Sequence, residues 1–176
     1  ELYGVKILFG CELNIMDYDG GIDLDEVFAS PLDYGIASLH DVCITPGSRA
    51  ENTRAYLKAM ENPKVHIIGH PDDGTYAVDF DELVRHAKEH GVLIELNEAS
   101  VRPRSYRRNG RENAAVVLER CAHYGVKVVV SSDAHVECDI LRHQYALQML
   151  DAVHFPEELV LNRSVDALLT ALAEKK

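Results

Sequence analysis

Five short apolar runs, separated by segments of helical periodicity, constrain the fold of this chain more than any other feature of its sequence. Each run is short enough to be a strand buried on both faces, and alternation of such strands with helices indicates parallel βαβ units. Polar side chains follow every run, so we expect them to meet at the shared carboxyl edge of the sheet. The runs are residues 5–11 before Glu12, 34–39 before His40, 65–69 before His70, 92–94 before Glu95 and Asn97, and 126–130 before Asp133 and His135.

Two parallel architectures accommodate this pattern. A (β/α) barrel draws catalytic residues from the carboxyl ends of several strands, whereas a doubly wound sheet gathers its ligand at one crevice, usually with a glycine-rich phosphate loop. Neither G-x-G-x-x-G nor G-x-x-x-x-G-K-[ST] occurs in the chain. Polar residues after all five runs therefore favour the barrel.

The length of the chain predicts an incomplete barrel. A full barrel typically needs about 250 residues, and this chain has 176, with an apolar run that starts almost at its first residue. We expect a single domain over residues 1–176 that forms the larger, C-terminal part of a barrel.

Composition excludes several classes of protein. The net charge of −11 argues against a general nucleic-acid or anionic-membrane binder, because phosphate backbones require a basic surface. No apolar run approaches the roughly 20 residues needed to span a bilayer, and the first residues lack the pattern of a signal peptide. We expect a soluble cytoplasmic protein in which all four cysteines are free thiols.

Helical periodicity marks the segments between the runs. A long polar loop is expected over residues 99–111, and a short helical turn is expected over 24–29. Helices are predicted over residues 52–60, 80–90, 112–124, 140–153 and 165–174.

The residues that follow the strands form a candidate metal site. Imidazole and carboxylate groups suit zinc, iron or manganese, and a carboxylate can bridge two ions. A lone histidine is more often structural and a lone aspartate often caps a helix, so the joint pattern carries the hypothesis. The candidate ligands are Glu12, His40, His70, Asp133 and His135.

Glu95 and Asn97 share strand parity and are expected to support these ligands. The other histidines, including His66, His86 and His90, are interpreted as structural, solvated or capping residues.

Five arginines concentrate positive charge in the loop over residues 99–111. Guanidinium groups match phosphate geometry, so a phosphate clamp formed by Arg108, Arg104 and Arg107 is one interpretation. A solvated loop is the other interpretation, and the sequence does not decide between them.

At the level of motifs, the chain resembles the PHP (polymerase and histidinol phosphatase) family, most closely its bacterial YcdX-type phosphatase branch. The resemblance runs almost end to end, and the order and spacing of its motifs make it specific. The matching segments are GCELNI at 10–15, ASLH at 37–40, VHIIGHP at 65–71, ELN at 95–97, SDAH at 132–135 and LDAVHFP at 150–156.

The resemblance implies a distorted (β/α)7 barrel with a trinuclear site that hydrolyses small phosphomonoesters. Zinc is expected, with manganese or iron as alternatives. Glu12 would bridge two ions, His40 and His70 would complete one site, Asp133 would serve the second, and His135 would reach the third. On this basis Glu12, Asp133 and His135 are the expected catalytic residues.

The chain differs from the family pattern in one respect, and this difference changes the expected number of bound ions. The opening His-x-His strand of the family and two further early histidines have no counterpart here. We therefore expect fewer ions than the full-length parent holds, impaired activity, and exposed sheet edges that favour homo-oligomers. A nuclease or proofreading module of the same family, or an inert metal-binding or oligomerising fragment, are the alternatives.

Overall fold

The computed structural model describes residues 3–25 and 31–175. Five parallel strands form one sheet in the order β1-β2-β3-β4-β5. The strands are β1 Gly10–Asn14, β2 Tyr34–Ser38, β3 Ile67–Ile68, β4 Leu93–Asn97 and β5 Val128–Ser131. The predicted α/β class with a parallel sheet is confirmed, and a strand order without reversal is compatible with a TIM-like fold rather than a doubly wound one.

Six α-helices lie in the described ranges, and each of them lies between two strands or after the last one. None of these helices is long and apolar enough to cross a bilayer. They are α1 Arg49–Met60, α2 Phe80–His90, α3 Glu98–Val101, α4 Gly110–Tyr124, α5 Gln144–Ala152 and α6 Val165–Glu174.

The first strand lies later in the chain than predicted. Within the run predicted as a buried strand, Val5, Ile7 and Phe9 are 62%, 59% and 65% exposed. The pairing with β2 starts at Gly10, so Glu12 stands in the middle of β1 opposite Ile36. The prediction was wrong because hydrophobicity alone placed the earlier residues in the core. The helical turn predicted over 24–29 falls largely on residues outside the described ranges.

Helices α1 and α4 begin at Arg49 and Gly110, slightly before their predicted starts at residues 52 and 112. Two larger differences from prediction involve the end of β4. Part of the predicted loop over 99–111 is helix α3, which is capped by Asn97 accepting a 3.3 Å hydrogen bond from the Ser100 N–H. Helix α5 begins at Gln144 because the buried Glu98 carboxylate accepts the backbone N–H groups of Tyr145 and Ala146. All four cysteines are free thiols, as predicted.

Alternation along the strands separates two apolar layers. One face carries Ile68, Ile94 and Val128 into the larger core, and the opposite face carries Ile67, Leu93 and Val129 into a smaller cluster that α6 covers. Because side chains repeat every second residue on a strand, the positions after Ile67 and Leu93 on that second face are Gly69 and Glu95. Toward the carboxyl edge, this face therefore continues with a glycine and a carboxylate in place of apolar side chains.

Candidate metal centre

Three side chains from β1 and the ends of β2 and β3 converge at the carboxyl edge of the sheet. Glu12 Oε1 lies 3.1 Å from His70 Nε2 and 3.4 Å from His40 Nε2. The two Nε2 atoms are 3.2 Å apart. These three residues, called the strand-edge centre below, offer one carboxylate oxygen and two imidazole nitrogens that could hold a divalent cation.

A chain of hydrogen bonds fixes the orientation of His40. Its Nδ1 lies 2.6 Å from Asn14 Oδ1, and the Asn14 amide group donates to the Asp23 carboxylate. Because an amide oxygen only accepts, Nδ1 carries the proton and Nε2 presents its lone pair to the centre. This is the arrangement that orients metal-ligating histidines in proteins.

Glu12 is held from the neighbouring strand. The Ser38 hydroxyl donates a 2.7 Å hydrogen bond to Glu12 Oε1. That contact depends on Gly69, because a Cβ at this position would lie 2.3 Å from Ser38 Oγ and 2.8 Å from Ile36 Cγ2. The absence of a side chain at position 69 therefore lets Ser38 reach the carboxylate.

The backbone of His70 adopts a conformation that non-glycine residues rarely take. Its φ is +29°, and its N–H donates a 2.7 Å hydrogen bond to Glu95 Oε2. Ser131 donates to the other oxygen of the same carboxylate. Glu95 thus stabilises the turn that aims the buried His70 imidazole at Glu12.

The electrostatics of the strand-edge centre favour positive charge. The nearby imidazoles of His40 and then His70 hold the pKa of the Glu12 carboxyl well below its usual range, although burial opposes them. Burial alone would lower the pKa of His70, but the bond to Glu12 and the charges of Glu95 and Glu12 outweigh burial and raise that pKa. The centre is therefore suited to a cation.

A second group of polar residues surrounds Arg107 on the β4–β5 side of the same edge. The guanidinium donates to Asp133 Oδ2 at 3.0 Å, to Asn97 Oδ1 at 3.0 Å and to Ser100 Oγ at 3.3 Å. Ser100 in turn donates to Asp72 Oδ1 at 3.1 Å. These five residues are called the Arg107 network.

His135 and the three candidate arginines lie outside the strand-edge centre and differ in how deeply they are buried. The side chain of His135 is 82% exposed and lies 3.8 Å from Asp133 through its Nδ1 atom, outside the strand-edge centre. Arg104 and Arg108 are exposed, whereas the Arg107 side chain is only 4% exposed. Of the three arginines proposed for phosphate, Arg107 alone belongs to the buried network.

Sequence reasoning missed Asp72 and Ser38. Asp72 is buried, and its Oδ2 has no hydrogen-bond partner in the part of the chain that the structure describes. Burial raises the pKa of Asp72 to about 7, against the charges of His70 and Arg107. The position of Asp72 two residues after His70 was a usable signal, whereas nothing in the sequence marks Ser38 as a partner of Glu12.

A cleft of about 150 Å³ opens beside the strand-edge centre. His40 and His70 line it together with Tyr106 and Arg107. A space of this size holds several water molecules or a small anionic group. The cleft therefore places a buried cationic side chain and the candidate ligands around one small volume.

The fold and the site define an α/β protein with a candidate metal centre at the carboxyl edge of a parallel sheet. No protein-family model matches the chain. It is 42% identical to a probable phosphatase of Caldicellulosiruptor saccharolyticus over 98% of this chain and 71% of that protein. A probable phosphatase of Clostridium novyi is 41% identical over 99% of this chain and 71% of its own length.

A probable phosphatase of Thermoanaerobacter is 42% identical over the whole of this chain and 71% of its own length. The chain belongs to the family of these probable phosphatases. It spans about 71% of their length.

Proposed function

We propose that this chain is a metal-dependent phosphatase that hydrolyses small phosphomonoesters, with its principal ion held by Glu12, His40 and His70. The names of the relatives supply the reaction class. The proposal that the chain binds a metal rests on the spacing of three donor atoms at the carboxyl edge of the sheet. PHP membership and the (β/α)7 barrel are part of the same proposal, supported by the sequential parallel strand order.

The donor spacing fits a metal ion. Ligand atoms held about 2.1 Å from a tetrahedral zinc ion lie about 3.4 Å from one another. The three separations in the strand-edge centre are 3.1, 3.2 and 3.4 Å. Among the ion pairs in the described ranges, none joins Glu12 to a lysine or arginine.

Zinc is the proposed ion, because two imidazoles and one carboxylate are a donor set that zinc accepts in catalytic sites. Manganese and iron remain compatible with the same donors. A bound divalent ion would supply Lewis acidity toward a phosphate oxygen and acidify a coordinated water. Following the resemblance, Asp133 and His135 are proposed to serve further ions of a trinuclear arrangement.

The protein residues would orient the substrate. We propose that a phosphate enters the cleft beside His40 and His70, where Arg107 offers N–H groups beyond those used within its network. The guanidinium would neutralise phosphate charge and align it with the ion. Arg104 and Arg108, which are exposed, would act as secondary contacts to the same anion.

The test is a phosphatase assay on the purified chain after chelation and after readdition of zinc, manganese or iron. We expect hydrolysis of p-nitrophenyl phosphate that is lost on chelation and restored by metal. Bis-p-nitrophenyl phosphate, a diester, should be a much poorer substrate.

Glu12→Gln should lower the activity by at least about 100-fold, because removing a ligand exceeds the 10- to 100-fold cost of losing its hydrogen-bonding partner. Glu119→Gln, at an exposed position on α4, is the matched control. Activity that survives chelation, or equal activity in the two variants, would overturn the proposal.

A further inference from the structure

The last turn of α2 carries a second cluster of possible ligands. His86, Glu89 and His90 each offer a ligand atom, and these atoms all lie within 4.8 Å of one another. The i, i+3 and i, i+4 spacing places the three side chains on one helix surface. The segment has the pattern H-x-x-E-H, which is known from helical zinc sites.

The hydrogen bonding of His90 determines which of its two ring nitrogens carries the proton. Its Nδ1 lies 3.1 Å from the backbone carbonyl oxygen of His86. A carbonyl oxygen only accepts, so Nδ1 carries the proton and Nε2 presents a lone pair.

The imidazole of His86 faces a different element. It lies close to the backbone of Leu57 on α1. Its Nε2 is buried and has no hydrogen-bond partner among the described residues. A buried ring nitrogen without a partner is costly, and a cation coordinated at Nε2 would satisfy it.

The surroundings favour a cation over protonation. The two rings are stacked with centroids 4.0 Å apart, so two imidazolium charges would repel each other. Two carboxylates, Glu89 within the cluster and Glu61 at the end of α1, supply negative charge nearby.

We propose that His86 Nε2, His90 Nε2 and the Glu89 carboxylate form a binding site for a divalent transition-metal ion such as zinc. Water would complete the coordination sphere, since Glu89 is exposed. The site shares no residue with the strand-edge centre and precedes β4, whereas the strand-edge centre lies beyond β3 at the opposite edge of the sheet. It does not depend on the proposed phosphatase activity.

The experiment is zinc titration of chelator-treated protein followed by long-range ¹H–¹⁵N spectra of the histidine imidazoles. Zinc should shift the Nε2 resonances of both His86 and His90. Two unshifted resonances at millimolar zinc would overturn the proposal, and this readout needs no variant.

Variants give the second measurement, by equilibrium dialysis with zinc or cobalt. Glu89→Gln should weaken binding at this site by at least about tenfold, and His90→Ala should remove one equivalent of bound metal. His123→Ala, on α4, is the matched histidine control and should retain the wild-type stoichiometry. Equal stoichiometry and affinity in all of these proteins, each with wild-type circular dichroism, would also overturn the proposal.

Discussion

The two halves of the carboxyl edge of the sheet differ in the groups that surround their carboxylates. On the β1–β3 half, the strand-edge centre brings a carboxylate and two imidazoles together, and within the described ranges Glu12 forms ion pairs only with histidines. On the β4–β5 half, Asp133 is already paired with the buried guanidinium of Arg107. One half is suited to bind an added cation, and the other contains its own.

This difference shows that the type of residue after a strand does not reveal how readily its carboxylate takes up an ion. Glu12 and Asp133 are both carboxylates near the same edge and both are proposed ligands, yet Asp133 would have to share its carboxylate between an ion and Arg107. A buried arginine neutralises one carboxylate, whereas the other is held by neutral or titratable groups. Four substitutions test the contrast.

The largest effect is expected on removing the internal cation. Arg107→Met keeps the aliphatic stem but leaves Asp133, Asn97 and Ser100 without their shared donor. Removing one partner of a buried pair typically costs about 3–5 kcal/mol of stability. Urea unfolding of chelator-treated protein measures the loss, and stability within error of wild type would show that the network is not paired as described.

His40→Ala tests the other half. The side chain of His40 is 30% exposed, so we expect the variant to fold while zinc affinity and phosphatase activity each fall by about 100-fold. Isothermal titration with zinc and the p-nitrophenyl phosphate assay measure the two losses. Unchanged zinc affinity would contradict the assignment of His40 as a ligand.

Asp72→Asn tests how burial in the Arg107 network changes the pKa of a further carboxyl group. Burial raises the pKa of Asp72 to about 7, above its ordinary value of 3.8. The folded state therefore binds the proton more tightly than the unfolded state, and Asp72 lowers stability as pH rises from about 4 through 7.

The variant lacks this pH dependence. In chelator-treated protein, Asp72→Asn should match wild type near pH 4 and exceed its stability by up to about 4 kcal/mol at pH 8, since each pKa unit corresponds to about 1.4 kcal/mol. Thermal and urea unfolding across this range measure the difference. A constant difference at every pH would refute the raised pKa.

His135→Ala should have the smallest effect. Its side chain is exposed, so we expect a stability change within about 0.5 kcal/mol and a smaller activity loss than in His40→Ala. Activity assays of the two histidine variants side by side give the comparison. An activity loss as large as that of His40→Ala would place His135 among the principal ligands.

The sequence predicted the α/β class because five apolar runs alternate with helical segments. It also predicted that His40 and His70 meet, since both residues follow neighbouring parallel strands. The start of β1 was not predictable, because pairing with β2, rather than local hydrophobicity, decides which residues enter the sheet. Nor could the sequence separate Arg107 from Arg108, because the path of the segment between α3 and α4 determines which side chain is buried.

The close approach at Gly69 has a consequence for how this protein can change over evolution. A methyl group there would displace Ser38, the hydroxyl that holds Glu12. In a saturation mutagenesis library selected for activity, position 69 should therefore be as intolerant as the ligands themselves. A residue with no functional group would score as essential, and a map of essential positions would extend past the residues that touch the ion.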